Sequence, residues 1–169
     1  MKITKRQLRQ LIESVINEQD SGYPDGVYFA GKRLFGKATH GFLITVKGSE
    51  IIGYHGGPGS YYMKHVDKSA DEKSDALVTW SQPHSNSDIK ALEDGVEPIN
   101  LEIDNIDKAK SELQTALSEV KSKKLTYNLS GPNSNTTAWY LLSALGKKEM
   151  VDKKLKDYDL LFPGRDTNI

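Results

Sequence analysis

The hydrophobic pattern separates an amphipathic N-terminal segment from a larger body. Over residues 1–19 the apolar positions recur at the spacing of a helix, and basic residues occupy the remaining faces. These apolar positions are Leu8, Leu11, Ile12, Val15 and Ile16. Residues 20–26 are rich in Gly, Pro, Asp and Ser, which interrupt regular structure. The pattern predicts a helix over 1–19, a linker over 20–26 and a folded body over 27–169.

Within the body, runs of β-branched and aromatic residues predict strands. Residues 41–46 and 51–54 are two such runs, and the short polar stretch between them is typical of a hairpin turn. This hairpin places His40 and His55 near one of its ends. Residues 76–80 and 99–103 have the pattern of further strands that extend the same sheet.

Two helices are predicted in the second half of the chain. Over 105–124 the apolar residues fall on one helical face, and Asp104 or Asn105 suits the N-terminal cap. A second helix is expected to begin at the Asn133-Ser134 corner and to end at Gly146, a residue suited to a left-handed C-terminal cap. Residues 159–164 could dock as an apolar strap. The predicted fold class is α+β, with a small antiparallel sheet packed against helices.

Composition limits the classes of function. The 169 residues carry 23 Lys+Arg and 23 Asp+Glu, so no overall positive charge attracts nucleic acid. No apolar run approaches the roughly 18 residues of a membrane span. The N-terminus lacks the apolar stretch of a secretion signal. We therefore expect no nucleic-acid partner, no transmembrane segment and no export by a secretion signal.

Metal and cofactor sites are poorly supported by the sequence. The chain has no Cys, which excludes disulfides, thiolate zinc sites and thiol nucleophiles. His65 and His84 lie in polar, loop-like stretches without a His-Glu-x-x-His arrangement. Residues 56–59 contain glycines but lack the Lys of a phosphate loop, and Pro58 has no backbone N–H to donate. The sequence predicts no metal and no cofactor.

The best candidate for a reactive group is Ser134, within Gly131-Pro132-Asn133-Ser134-Asn135-Thr136. A serine in the first turn of a helix lies near unpaired N–H groups that can stabilise an oxyanion. A hydroxyl nucleophile also needs a general base, which is most often His. The same residues are common helix caps, and His40 could be a polar residue at the end of a strand. Both interpretations of each residue stay open on local sequence.

Three segments together resemble circularly permuted papain-like proteins related to the NlpC-type amidases. They are residues 40–46, the strand that ends in Tyr54-His55-Gly56-Gly57-Pro58-Gly59, and residues 127–136, and the resemblance covers about 27–146. In that superfamily a His opens one strand, a polar residue follows on the next, and the nucleophile begins a helix. Permuted members place this helix last, and the best-known members use Cys as the nucleophile.

The resemblance implies a role for each matching residue. His40 would be the general base, Ser134 would take the nucleophile position, and His55 would orient the His40 ring. If Ser134 reacts in this way, the N–H groups of the helix start, with Asn133 or Asn135, would hold the oxyanion. His55 has an alternative explanation, because the glycine-rich turn beside it could be required for backbone geometry alone.

The N-terminal segment has three ordinary explanations: a helix packed on the body, a partner-binding helix or a membrane-surface segment. It also resembles the targeting segments of internal head proteins of tailed phages, which a protease removes after a hydrophobic-x-Glu sequence. Leu11-Ile12-Glu13 and Ile16-Asn17-Glu18 fit that pattern. The resemblance implies cleavage after Glu13 or Glu18, a capsid protein as partner of residues 1–19, and packaging in a virion. A cytoplasmic location is the alternative.

Two functions follow from these residues. The first is a serine-dependent hydrolase or acyltransferase that acts on an amide or ester. The second is a binding or virion-structural protein that keeps the fold without the chemistry, in which Ser134 only caps a helix.

Overall fold

The computed structural model describes residues 23–35, 37–85, 96–158, 160–167 and 169. It is an α+β protein in which one five-stranded antiparallel sheet packs against helices, as the sequence predicted. The predicted helix over 1–19 lies outside the described residues, and so do Glu13 and Glu18. No helix within the described ranges is long and apolar enough to cross a membrane.

The sheet consists of a three-stranded meander, formed by the first three strands, with one further strand on each side. Its strands are β1 (Gly26–Phe35), β2 (Ala38–Lys47), β3 (Glu50–Pro58), β4 (Leu77–Pro83) and β5 (Val96–Asn100). The order across the sheet is β4-β3-β2-β1-β5, and every neighbouring pair is antiparallel. Strand β2 is therefore central, and it is covered on both of its faces.

The predicted hairpin is confirmed as β2 and β3. Lys47 pairs with Glu50 across the turn, and Gly48 adopts a φ of 59°, the left-handed conformation that tight hairpin turns require. Strand β1 was not predicted. Its residues Val27 to Ala30 are all buried, so the strand lacks the alternation of polar and apolar residues by which a half-exposed strand is detected.

The described part of the chain has four helices, the first of them between β3 and β4 and the last continued by a short 3-10 turn. They are α1 (Gly59–His65), α2 (Ile106–Ser122), α3 (Ser134–Ala144) and α4 (Lys148–Lys154), and the turn is Leu155–Asp157. The side chain of Asn105 caps α2 by accepting a 2.9 Å hydrogen bond from the backbone of Lys108. Helix α4 was not predicted, because its sequence is mostly charged and only Val151 is buried.

The two faces of the sheet carry different clusters. The first face packs against α2 and α3 and forms the main core with Phe29, Leu43, Tyr54, Leu113, Leu117, Trp139 and Leu142. The opposite face carries a second apolar cluster, called here the second-face cluster. Its members are Tyr28, Ala30, Phe42, Ile44, Val46 and Ile51.

The C-terminal strap docks as predicted over its described part. The backbone of Leu161 accepts a hydrogen bond from Thr39 and donates one to Lys37, both at 2.9 Å. Phe162 is buried against the rings of Phe29 and Trp139, at centroid distances of 5.8 and 5.0 Å. The strap thus joins the start of β2 to the main core.

Candidate functional site

The candidate site is a cavity of about 500 Å³ on the same side of the sheet as the second-face cluster. Ser134, His40 and His55, the three residues expected from the sequence, all line it. His84, Tyr127 and Lys32 also line it, and none of these three was among the site residues predicted from the sequence. The fold therefore brings residues from the first four strands or their ends and from the segment of residues 127–134 to one cavity.

Ser134 is the first residue of α3, and its side chain is buried. The helix is capped by Asn133, whose Oδ1 accepts hydrogen bonds from the backbone of Asn135 at 2.8 Å and of Thr136 at 3.2 Å. The backbone N–H of Asn133 in turn donates to Thr136 Oγ1, which completes a capping box. The interpretation of Ser134 as the helix cap is therefore wrong, because Asn133 takes that role.

The side chain of Asn135 fixes the strand that carries His40. Its Oδ1 accepts a 2.7 Å hydrogen bond from the backbone of Gly41, and its Nδ2 donates a 2.9 Å bond to the carbonyl of Thr39. Gly41 and Thr39 flank His40 in β2, and Asn135 follows Ser134 in α3. This pair of bonds sets the base candidate and the nucleophile candidate relative to one another across 94 residues of chain.

The amide groups of Asn133 and Asn135 are fully used in such structural bonds. Nδ2 of Asn133 donates to the carbonyls of Leu129 and Pro163, at 2.9 and 3.0 Å. Nδ2 of Asn135 donates to Pro163 at 3.0 Å in addition to Thr39. Since each amide has two N–H hydrogens, neither side chain has a donor left for an oxyanion. The oxyanion role expected for them is replaced by a positioning role.

The His40 ring is held neutral by its surroundings. Burial lowers the pKa of His40, and the charge of Lys32 lowers it further, to about 4. Lys32 is the residue paired with His40 across β1 and β2. A neutral imidazole can accept a proton at pH 7, although a ring with so low a pKa is a weaker base than an ordinary histidine.

His55 contacts His40 through its ring face and bonds to a different histidine. The His40 and His55 rings are almost parallel, with centroids 6.0 Å apart. Nε2 of His55 lies 2.9 Å from Nε2 of His84, so these two rings share a hydrogen bond. Burial, followed by the proximity of His40 and His84, holds the pKa of His55 well below its ordinary value. The hydrogen bond of His55 thus goes to His84, and an orienting role of His55 toward His40 stays a prediction.

The His55–His84 pair depends on a glycine. A Cβ at Gly53 would lie 2.3 Å from Nε2 of His84 and 2.4 Å from Nε2 of His55. Because Gly53 has no side chain, His84 can reach across the strand edge from the end of β4. This partner was not predicted, because the register of β3 and β4, rather than any local motif, brings His84 to the site.

Tyr127 lines the cavity together with Ser134. Burial raises the pKa of Tyr127, and a side-chain hydrogen bond with Ser134 opposes that rise without cancelling it. The phenol therefore stays protonated at neutral pH and retains a hydrogen to donate. Tyr127 is the first residue of 127–136, one of the three segments with the papain-like resemblance. Its position there is the sequence feature from which it could have been predicted as a site residue.

Three aromatic side chains, Phe42, Tyr61 and Trp80, contribute to the rest of the lining. Phe42 packs against His55 at a centroid distance of 4.7 Å and against His40 at 5.7 Å. Trp80 packs against His55 at 5.6 Å and against Tyr61 at 6.1 Å. These rings help to bury His40 and His55, and burial is the largest cause of the lowered pKa of each of these two histidines.

Among the described residues, no group of three or more His, Asp or Glu side chains is arranged to hold a metal ion. His65 lies on α1, where its ring packs against Tyr61 and remains exposed.

No family model, curated protein or solved structure matches this chain.

Proposed function

We propose that the protein is a serine-dependent hydrolase or acyltransferase that acts on an amide or ester. The observation that carries the proposal is that His40 and Ser134 line one cavity and are joined through the Asn135 bonds to β2. The order of these residues along the chain, with the histidine strand first and the nucleophile helix last, also resembles the permuted papain-like proteins.

In the proposed reaction, the Ser134 oxygen attacks the carbonyl carbon of the substrate while His40 takes the hydroxyl proton. The resulting tetrahedral intermediate collapses when His40 returns that proton to the leaving amine or alcohol. The acyl group is then bound to Ser134 as an ester. Water or a second alcohol or amine, activated by His40, releases it by the same two steps.

We assign oxyanion binding to the Tyr127 hydroxyl and to the backbone N–H of Ser134. Tyr127 lines the cavity together with Ser134 and keeps its proton at neutral pH because burial raises its pKa. The backbone groups of Asn135 and Thr136 are bonded to the Asn133 cap, so those two donors of the first helical turn are committed. The Ser134 N–H is the donor of that turn that the cap does not use.

The lining favours an apolar acyl group. Phe42, Tyr61 and Trp80 provide aromatic walls, and Lys32 is the charged residue of the lining. Burial of an apolar chain against such walls supplies binding free energy at about 25 cal/mol per Å² of surface removed from water. We therefore expect esters of medium-length or aromatic acids to react faster than acetyl esters.

A binding or virion-structural protein without catalysis is the second candidate. The low pKa of His40 favours it, because it makes His40 a weaker base. The serine at position 134 also favours it, because the best-known papain-like proteins carry a more easily ionised thiol at the corresponding place. Under this alternative the cavity binds its ligand and leaves it unchanged.

Labelling with a fluorophosphonate probe separates the two candidates. We expect wild-type protein and the Ser143→Ala variant to be labelled, and Ser134→Ala to remain unlabelled. Ser143 is a matched control because it is an exposed serine on the same helix. Absence of labelling in all three folded proteins, or equal labelling in all three, would count against the enzyme.

A further inference from the structure

The floor of the candidate cavity crosses the sheet from β1 to β4. Lys32 on β1 pairs with His40 on β2, His55 on β3 pairs with Trp80 on β4, and all four side chains line the cavity. Neighbouring strands lie about 4.8 Å apart, so this floor is about 14 Å wide. Its two ends differ in chemistry, because one carries the amine of Lys32 and the other carries the indole of Trp80.

Ser134 reaches the floor between β2 and β3. These two strands pair beside their hairpin turn, whereas further from the turn the first turn of α3 lies between them. There Asn135 bonds to the backbone of Gly41 on β2, and a Cβ at Gly56 on β3 would lie 2.3 Å from Oγ1 of Thr137. Because Ser134 begins this turn of α3, it lies between the two ends of the floor.

The charge of the cavity favours an anionic ligand. Lys32 lies at its exposed rim, and among the described residues no Asp or Glu lines the cavity or forms an ion pair with Lys32. An unpaired cation attracts an anion that enters the cavity. One Lys balances one negative charge, so a carboxylate fits better than a phosphate dianion. The volume of about 500 Å³ is that of a site for a small molecule.

The direction in which a substrate lies follows from the role of His40. A general acid gives its proton to the leaving group, so the leaving group lies beside His40. Lys32 is the cross-strand neighbour of His40, and the Cβ atoms of such a pair are about 5 Å apart. The leaving group therefore faces Lys32. The acyl group then extends past Ser134 toward the aromatic surface of Trp80 and Tyr61.

We propose that the substrate is a small molecule in which an ester or amide joins an apolar acyl group to a leaving group that carries one carboxylate. Acylated amino acids and acylated hydroxy acids form this class, and the assignment rests on the proposed function. Ser134 takes the acyl group, the bond from the carbonyl carbon to the leaving nitrogen or oxygen breaks, and His40 gives its proton to that atom. The amino acid or hydroxy acid leaves with its carboxylate unchanged. Water then releases the acyl group from Ser134 as a free acid.

A bound carboxylate also strengthens the base. The charge of Lys32 is the second cause, after burial, of the low pKa of His40. The other titratable groups of the lining are His55, His84, Tyr61 and Tyr127. A carboxylate beside Lys32 offsets the lysine charge, so the pKa of His40 should be higher with a carboxylate substrate than with its neutral amide. The acidic fall of kcat should accordingly lie at higher pH for the carboxylate substrate.

Two esters that differ by one charge test the proposal: the hydrocinnamoyl esters of glycolate and of glycolamide. We expect kcat/KM of the wild-type protein to be about three- to fivefold higher for the glycolate ester, as for an exposed ion pair. Lys32→Gln should abolish this preference, and Lys32→Arg should keep it. Arg33→Gln is the matched control, because Arg33 is exposed and points to the opposite face of β1. Equal kcat/KM values in wild type, or an unchanged preference in Lys32→Gln, would overturn the proposal.

Binding to the Ser134→Ala variant separates this proposal from the proposed enzyme. Calorimetry measures the affinity of hydrocinnamoyl-glycine and of its neutral amide, hydrocinnamoyl-glycinamide. We expect the carboxylate to bind about three- to fivefold more tightly, and the added Lys32→Gln substitution to remove the difference. Equal affinities, or no saturable binding, would overturn the carboxylate assignment even if fluorophosphonate labels Ser134 in wild type. Selective binding without hydrolysis of either ester would instead contradict the proposed enzyme and retain the carboxylate site.

Discussion

The side-chain oxygen of Asn135 accepts a 2.7 Å hydrogen bond from the backbone N–H of Gly41. Together with the bond from Asn135 Nδ2 to Thr39, this contact holds the strand of His40 against the helix of Ser134. A misplacement of about 1 Å can lower a catalysed rate by about a hundredfold. The geometry of the proposed pair therefore depends on a residue that does not itself react.

Asn135→Asp tests this positioning role. The carboxylate keeps the acceptor for Gly41 but loses both donors, to Thr39 and Pro163, and places a buried charge beside two carbonyls. We expect a loss of about 1–3 kcal/mol in the free energy of unfolding, measured by urea denaturation, and a lower rate of Ser134 labelling. Asn128→Asp is the control, because Asn128 is exposed and its Oδ1 accepts from the backbone of Ser130. An equal effect of the two substitutions would contradict the role.

Ser134 and Asn133 have separable functions. Because Asn133 is the cap of α3, Asn133→Ala should cost about 0.5–2 kcal/mol in the free energy of unfolding through loss of the cap alone. Ser134→Ala should cost less and should abolish labelling. Thermal or urea unfolding of the two variants measures the difference. A larger loss of stability in Ser134→Ala would show that the hydroxyl is chiefly structural.

The labelling rate should depend on the protonation of His40. Its pKa of about 4 in the folded protein keeps the ring neutral from pH 8 down to about pH 5, so the rate should be flat there and fall near pH 4. Lys32→Gln removes a positive charge that lowers this pKa, and the fall should move to higher pH. A stopped-flow pH profile of both proteins checks this. An unchanged pH profile in Lys32→Gln would contradict the claim that the charge of Lys32 lowers the pKa of His40.

The same pKa makes stability depend on pH. His40 binds a proton near pH 6.5 when unfolded but near pH 4 when folded, so the unfolded chain binds more protons in this window. The free energy of unfolding should fall as the pH drops from 6.5 to about 4, by up to about 1.4 kcal/mol per pH unit from this group. The lowered pKa of His55 acts in the same direction. The free energy of unfolding is measured by urea denaturation at several pH values, in wild type and in His40→Asn. Its slope against pH should be smaller in His40→Asn, and identical slopes would contradict this prediction.

Gly53→Ala should break the bond between His55 and His84. The added Cβ would lie within 2.4 Å of both Nε2 atoms, so one ring must move. We expect a loss of about 1–3 kcal/mol in the free energy of unfolding from overpacking, and a changed His84 signal in the NMR spectrum. Gly131→Ala is the matched control, since its nearest contact would be an ordinary 3.5 Å. Unchanged histidine signals in Gly53→Ala would argue against the bond.

The sequence predicted elements whose periodicity or turn chemistry is local. The hairpin of β2 and β3, helix α2 with its Asn105 cap, and Gly146 after α3 are of this kind. Strand β1 and helices α1 and α4 were not predicted. Helix α1 has only seven residues and no side-chain cap. Burial on both faces removes alternation from β1, and a high charge content conceals the buried face of α4. Neither β1 nor α4 therefore shows the periodicity by which a half-buried strand or an amphipathic helix is recognised in a sequence.

The candidate site was predictable only in part, for a related reason. His40, His55 and Ser134 stand in recognisable local strings, whereas His84 enters through strand register and the absence of a side chain at Gly53. Asn133 caps α3 and Asn135 bonds to β2, and this difference depends on contacts across the fold. The sequence placed such residues near the site without distinguishing their roles.

The central claim is that His40 activates Ser134. The direct measurement is the rate at which a fluorophosphonate forms a covalent adduct on the peptide that contains Ser134, followed by mass spectrometry in wild type and in folded His40→Asn. Loss of a general base should slow the adduct by about 10²- to 10⁴-fold. No adduct on Ser134 in wild type, or an equal rate in His40→Asn, would contradict the claim.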